Sequence, residues 1–130
     1  DSYCGADFAA FWRSHRSRQA AATLLLVHNP ETRRFGSVRV GTDGRILRFE
    51  EKRDSAESGS INAGVYLIAR DLLQSIPAVR PVSLEREMFP AWIGGDFYGY
   101  LAAGPFLDIG TPESYALAEK FFAGLTAHHP

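Results

Sequence analysis

Cysteine is almost missing from this chain. Cys4 is the single one in 130 residues, so no internal disulfide can form, which fits a reducing, cytoplasmic setting. A surplus of charge is missing too. Fourteen basic residues (14) face 15 acidic ones for a formal charge of −1. They are spread along the chain with no basic stripe to follow a phosphate backbone, which argues against nucleic acid as a partner. The longest mostly apolar run, Ala20 to Val27, is far too short to span a bilayer. The N-terminal residues lack the charged-then-apolar layout of a signal peptide. No Cys/His spacing suits zinc, and neither internal repeats nor low-complexity segments occur. Membrane, nucleic-acid and disulfide-scaffold classes are thereby set aside.

What is present is ordinary globular composition, 45% hydrophobic and 22% charged, enough to bury roughly two-thirds of the unfolded surface. Asp7 ahead of Phe8, Phe11, Trp12 and His15 reads as a capped amphipathic helix over 7–18. Ala22 to His28 has the length of a buried strand. Two runs, Gly36 to Val40 and Arg45 to Glu51, flank Thr42-Asp43-Gly44, a strong hairpin signal. Ser55 to Ser60 is small and polar and reads as a loop. Ile61 to Ile68 reads as a strand, Asp71 to Ile76 as a short helix, and Ser83 to about Trp92 as a capped helix. Phe97 to Leu101 and Phe106 to Ile109 read as strands. Thr111-Pro112-Glu113 opens a last helix with its cap, first-turn proline and early acid. The expected class is α/β with a mixed sheet, because the hairpin is antiparallel.

Several single residues have ordinary explanations. Cys4 has no neighbouring His and suits a packed thiol. His15 lies on the apolar helix face as a partly buried residue. Trp92, Tyr98 and Tyr100 suit core packing before a ligand site.

Four stretches carry chemistry in concert: Asp1-Ser2-Tyr3, Phe49-Glu50-Glu51-Lys52, Ile61-Asn62-Ala63-Gly64-Val65-Tyr66, and the run from Phe106 to Glu113, FLDIGTPE. Arg34-Phe35-Gly36 and Ser83-Leu84-Glu85 fall between them. In order and spacing the chain resembles the sugar-1-phosphate nucleotidyltransferases over nearly all its length, and within them most resembles the D-glycero-D-manno-heptose 1-phosphate guanylyltransferases. The resemblance implies a Rossmann-like (GT-A-like) nucleotidyltransferase domain of which residues 1–130 are the C-terminal, sugar-phosphate-binding portion. It implies a reaction in which a sugar 1-phosphate oxygen attacks the α-phosphate of a nucleoside triphosphate, GTP for this branch, and pyrophosphate leaves. Thymidylyl-, uridylyl- and mannose guanylyltransferases of the same superfamily, and a non-catalytic sugar-phosphate-binding fragment, are the alternatives, the sugar 1-phosphate being that of a heptose or mannose.

Both reactants are anions, so such a site needs Mg²⁺ and cationic side chains to screen and align them. By the resemblance Asp1 and Asp108 hold the magnesium, which takes one or two carboxylates plus phosphates and waters. Lys52 neutralises the sugar phosphate and, with Asp108, counts as catalytic. Glu51 accepts from sugar hydroxyls, Asn62 offers a donor and an acceptor to a hydroxyl pair, Gly64 lets the sugar come close to the strand, and Gly36 lends a backbone N–H. Each has a plainer reading: a turn acid for Asp108, a frayed end for Asp1, a solvated ion pair for Glu51 and Lys52, a strand-edge amide for Asn62, a bulge for Gly64, a strand opening for Gly36.

The glycine-rich loop that holds the triphosphate in this family is absent from the 130 residues. An Asp at position 1 reads as the end of a strand whose body lies outside the sequence. The expectation is an N-terminal nucleotide-binding part elsewhere, a chain inactive alone, and a sheet edge exposed enough to favour self-association.

Overall fold

The computed structural model describes residues 2–29, 36–50 and 59–127, which divide into two compact units: Asp7–Ala103, and residues 1–6 with 104–130.

The larger unit opens with helix α1, Phe8–Ser17, where the Asp7 side chain accepts from the Ala10 backbone N–H at 3.0 Å. Strand β2, Ala22–Asn29, runs through the middle of a three-stranded sheet (β1 belongs to the smaller unit). It pairs antiparallel with β5, Gly59–Ile68, and parallel with β6, Phe97–Ala102. The sheet is therefore mixed, as expected, but the mixing happens at β2. The hairpin that motivated the expectation, β3 (Ser37–Val40) and β4 (Ile46–Glu50), forms a two-stranded ladder of its own among the described residues. Gly44 turns it with φ 86°, a value glycine adopts without Cβ strain. A single bridge, Arg45 to Tyr98, and a 2.9 Å bond from the Gly99 N–H to the Gly44 carbonyl tie the hairpin to β6.

Six consecutive β2 residues, Ala22 to Val27, are buried to 1% exposure or less. A strand reads as an unbroken apolar run only when both its faces are covered, and here they are. Ala22, Leu24 and Leu26 pack with Val38, Ile46, Phe89 and Phe97. On the other side His15 bonds Thr23, and Phe11 meets Tyr100, the residue opposite Leu25. Phe8 and Trp12, read from spacing as part of the same apolar helix face, stay half exposed. Of that helix face, Phe11 and His15 are the residues that become buried.

Two further readings change. Gly59 and Ser60 belong to β5 rather than to a loop. The helix read from Ser83 to Trp92 is two pieces, a π-helical turn over Leu84–Met88 and the four-residue α3, Phe89–Trp92. Pro90 lies in this segment and has no N–H to donate, so a continuous α-helical ladder cannot form through it. The short helix α2 spans Arg70–Gln74.

The smaller unit pairs β1, Ser2–Cys4, antiparallel with β7, Phe106–Asp108, so that Ser2 lies opposite Asp108. The opening residues are thus a strand in their own right. Helix α4, Pro112–Thr126, starts on a reciprocal cap: Thr111 accepts from the Ser114 N–H, and the Ser114 hydroxyl accepts from the Thr111 N–H, each at 3.1 Å. Tyr3 meets Phe121 and Phe122 edge-on at 5.8 and 5.0 Å.

Candidate functional site

The sugar-facing candidates divide by what the structure describes. Glu51 and Lys52 lie outside the described residues, as does Asp1; Gly36, Asn62, Gly64 and Asp108 lie within them.

Asn62 and Gly64 share one irregularity in β5. Leu24 and Leu26 of β2 pair with Tyr66 and Asn62, so two steps on β2 match four on β5. The surplus residues bulge out around Gly64, whose φ of 81° is the left-handed value that a side chain would strain. The Asn62 Oδ1 accepts the Gly64 N–H at 2.8 Å and closes the bulge. A Cβ placed on Gly64 would meet nothing within 4 Å among the described residues. Glycine is needed there for its backbone, and no described residue fills the space above it.

The other end of the Asn62 amide leads into a chain of side chains. Its Nδ2 donates to the Tyr66 hydroxyl at 3.1 Å, and that hydroxyl donates to a Glu85 carboxylate oxygen at 3.1 Å. Tyr66 is also wedged edge-on against Phe89 at 5.0 Å. Burial, opposed by the Asn62 bond and reinforced by the Glu85 carboxylate, holds its hydroxyl above the usual phenol range, so it stays a donor at neutral pH. Glu85 sits on the π-helical turn, which Ser83 and Glu87 organise. The Ser83 hydroxyl accepts from the Arg86 N–H at 3.2 Å, and Glu87 accepts from the Ser83 N–H at 2.9 Å and from Arg80 at 2.8 Å.

Gly36 precedes β3, which packs beside β5; it is buried, with φ 70°. Opposite Ser37, at the end of β4, stands Glu50, a residue that the motif reading passed over. Arg39 at 3.1 Å and Arg48 at 3.0 Å hold its carboxyl down to about 2, with the Ser37 hydroxyl a further donor at 3.1 Å. Glu50 therefore clamps the hairpin at the position just before Glu51 and Lys52. The signal in the sequence was the alternation Arg39, Arg48, Glu50, which only a known register turns into a cluster.

In the smaller unit Asp108 closes β7, four residues ahead of the start of α4. Its Oδ1 accepts the Gly110 N–H at 3.0 Å, which sets the carboxylate at the strand end. A Cβ on Gly110 would come within 3.0 Å of that same oxygen. The bond to the Gly110 N–H is what a turn acid makes, and carboxylate oxygens are of the hard kind that Mg²⁺ takes. Among the described residues no three His, Cys, Asp or Glu side chains gather as a metal cluster. No described helix is long and apolar enough to cross a membrane.

Known proteins were compared with the chain. A family profile described as "Nucleotidyl transferase" matches residues 1–124. The mannose-1-phosphate guanylyltransferase of Mycobacterium tuberculosis (strain ATCC 25618 / H37Rv) is 42% identical over 118 residues, which cover 88% of this chain and 33% of that protein. The D-glycero-alpha-D-manno-heptose 1-phosphate guanylyltransferase of Aneurinibacillus thermoaerophilus is 31% identical over 115 residues, 88% of this chain and 49% of that one. Among solved structures, HddC from Yersinia pseudotuberculosis matches with a TM-score of 0.79 at 29% identity, over 93% of this chain and 52% of that chain. The same protein complexed with GMP-PN gives a TM-score of 0.78. The chain thus spans a third to about a half of the length of these relatives.

Proposed function

This chain belongs to the nucleotidyl transferase family, and we propose that it is the sugar-phosphate-binding part of an enzyme making a GDP-sugar from GTP and mannose or heptose 1-phosphate. The observation that carries the reading is the likeness to the mycobacterial mannose-1-phosphate guanylyltransferase across nearly nine-tenths of the chain. The heptose 1-phosphate guanylyltransferase relative supports the same base and leaves the sugar to be decided by assay.

In this reading the residues divide the labour. Gly36, Glu51, Asn62 and Gly64 hold the sugar hydroxyls, and Lys52 screens the sugar phosphate so that its oxygen can approach a second anion. The bulge at Gly64 supports this, because no described residue stands within 4 Å of a Cβ placed there, next to an Asn62 amide that is already held. Asp108 and Asp1 hold a magnesium ion, which supplies charge neutralisation at the phosphates. What supports that assignment is the carboxylate of Asp108 at a strand end, with Ser2, the residue after Asp1, paired opposite it. The nucleotide is held elsewhere in a longer protein, and the 130-residue chain alone is inactive. A single cysteine is in keeping with work in the cytoplasm.

The test is pyrophosphate release by the full-length enzyme with GTP, Mg²⁺ and each sugar 1-phosphate. The expected result is turnover with one of the two sugars, reduced about a thousandfold by Asp108→Asn. Turnover with dTTP or UTP in place of GTP would move the enzyme to another branch. No turnover with any triphosphate, together with retained sugar-phosphate binding, would make it a binding protein. Near-normal rates in Asp108→Asn would leave Asp108 as a turn residue only.

A further inference from the structure

The bonds around Asn62 fix more than the shape of a bulge. An Asn amide has two donors and two acceptor sites, and nothing in the residue itself decides which end faces which way. Here both ends are decided. Glu85 as a carboxylate can only accept, so the Tyr66 hydroxyl must give its one proton to Glu85. That leaves its lone pairs to Asn62, and only the Nδ2 end of the amide can serve them, at 3.1 Å. The Oδ1 end is then turned to the Gly64 N–H at 2.8 Å, a donor that has no alternative polarity. Three hydrogen bonds donate in one direction, from a backbone N–H inside β5 to a carboxylate on the π-helical turn. After these bonds the amide retains one N–H and one carbonyl lone pair on a half-buried side chain, beside a Gly64 over which no described residue stands within 4 Å of a Cβ placed there.

We propose that Tyr66 and Glu85 are positioning residues that, together with the Gly64 N–H, lock the Asn62 amide in a single orientation, so that it presents its remaining N–H and carbonyl lone pair together to two adjacent hydroxyls of the sugar. The inference rests on the reading of Asn62 as a sugar contact and names what gives that contact its specificity. An unlocked amide, free to flip, presents its donor and acceptor in either order and distinguishes less well between a hydroxyl and its absence. A locked one leaves an unpaired group when a hydroxyl is missing, which is costly in a partly buried site.

Kinetics in the full-length enzyme separate the two layers. Tyr66→Phe keeps the ring against Phe89 and removes the hydroxyl. It is expected to raise KM for the sugar 1-phosphate roughly tenfold, the loss of about one hydrogen bond, with kcat and the GTP KM little changed. Glu85→Gln keeps an acceptor oxygen for Tyr66 and is expected to stay within about threefold of wild type, whereas Glu85→Ala follows Tyr66→Phe. Asn62→Asp keeps the acceptor for the Gly64 N–H but loses the Nδ2 donor, and is expected to show the largest rise in sugar KM. The ¹⁵N–¹H signals of the Asn62 side chain supply a readout independent of turnover: its two amide protons are expected to be distinct and slow to exchange in the wild type, and to broaden in Tyr66→Phe. If Asn62→Asp leaves the sugar KM unchanged, the sugar-contact reading falls. If Asn62→Asp raises it while Tyr66→Phe and Glu85→Ala do not, that reading stands and the locking role is overturned.

Discussion

The two units of this chain are held together by different means. Among the described residues of the larger unit fifteen apolar ones are buried, and the β2 run Ala22 to Val27 is at or below 1% exposure. In the smaller unit the only buried residue among those described is Ser114, at 7%, and its burial serves a helix cap. Its aromatics, Tyr3, Phe121 and Phe122, meet at their edges and remain partly exposed. The larger unit is stabilised by apolar area and close packing, which are collective. The smaller unit relies on a short ladder, a cap and edge contacts, each local. The consequence is that the residue proposed to hold the metal, Asp108, sits on the weaker scaffold, while the proposed sugar contacts Asn62 and Gly64 sit on the stronger one.

Substitutions sharpen that contrast. The largest effect on stability is expected from Leu24→Ala, which empties a fully buried site facing Phe89 and Phe97. About 2–5 kcal/mol should be lost, read as a shift in the urea midpoint. If it costs no more than a change in the smaller unit, the distinction between collective and local stabilisation fails. Next is Gly44→Ala. Its φ of 86° strains any Cβ, at about 1–2 kcal/mol, and that Cβ would come within 2.6 Å of the Arg18 guanidinium. Because Arg18 is the flexible partner there, the backbone strain should dominate, and the comparison variant Gly44→Asn should recover part of the loss. Thr111→Ala removes the cap of α4 and should cost about 1 kcal/mol. It should be seen as faster amide exchange over Pro112–Thr126 with little change in β2. Exchange that rose equally in β2 would show the units to be one cooperative block.

Acid gives the mildest test, and its sign can be worked out. The His15 imidazole lies below its ordinary value of 6.5, first because it is buried and then because Arg16 is near. A depressed folded-state value means the unfolded chain binds the proton more readily, so stability is present above pH 6.5 and falls as the pH drops below it. Glu50 follows at lower pH. Its folded value of about 2 lies under the ordinary 4.5, so its contribution is present above pH 4.5 and is lost between there and about 2. Melting temperature against pH should therefore decline in two stages. The first should vanish in His15→Gln and the second in Glu50→Gln. A single stage, untouched by either change, would show that these groups do not set the acid limb.

How much of this could be read beforehand follows the same division. Elements declared by local chemistry were legible: the Asp7 cap, the Asp43-Gly44 turn, the apolar β2 run and the Thr111-Pro112 start of α4 all stand where their residues predict. Elements declared by distant partners were not. Ser2–Cys4 has no periodicity of its own and becomes a strand through residues 106–108. Gly59 and Ser60 extend β5 because β2 reaches far enough to pair with them. Phe8 and Trp12 share the spacing of a buried face, yet both stay half exposed, because spacing along a helix does not say what lies opposite it. In the site, Asn62 and Gly64 stood out as residue types, but their link to Tyr66 and Glu85 did not. Positions 62 and 66 share a face by strand alternation, but their side chains come within hydrogen-bond reach only because the bulge at left-handed Gly64 shortens the strand between them. Glu85 joins them across nineteen positions, a separation that no local pattern encodes.

The pairing of Ser2 with Asp108 also has a consequence in time. The two strands of the smaller unit bracket the whole of residues 7–103, so its ladder closes a loop about a hundred residues long, and chain entropy opposes such a closure until that loop has condensed. The larger unit can collapse on its own contacts as it emerges from synthesis. The β1–β7 ladder has to wait until Phe106 to Asp108 have been made. Asp108 is then among the last residues to reach its place, and among the first to leave it when the molecule begins to open.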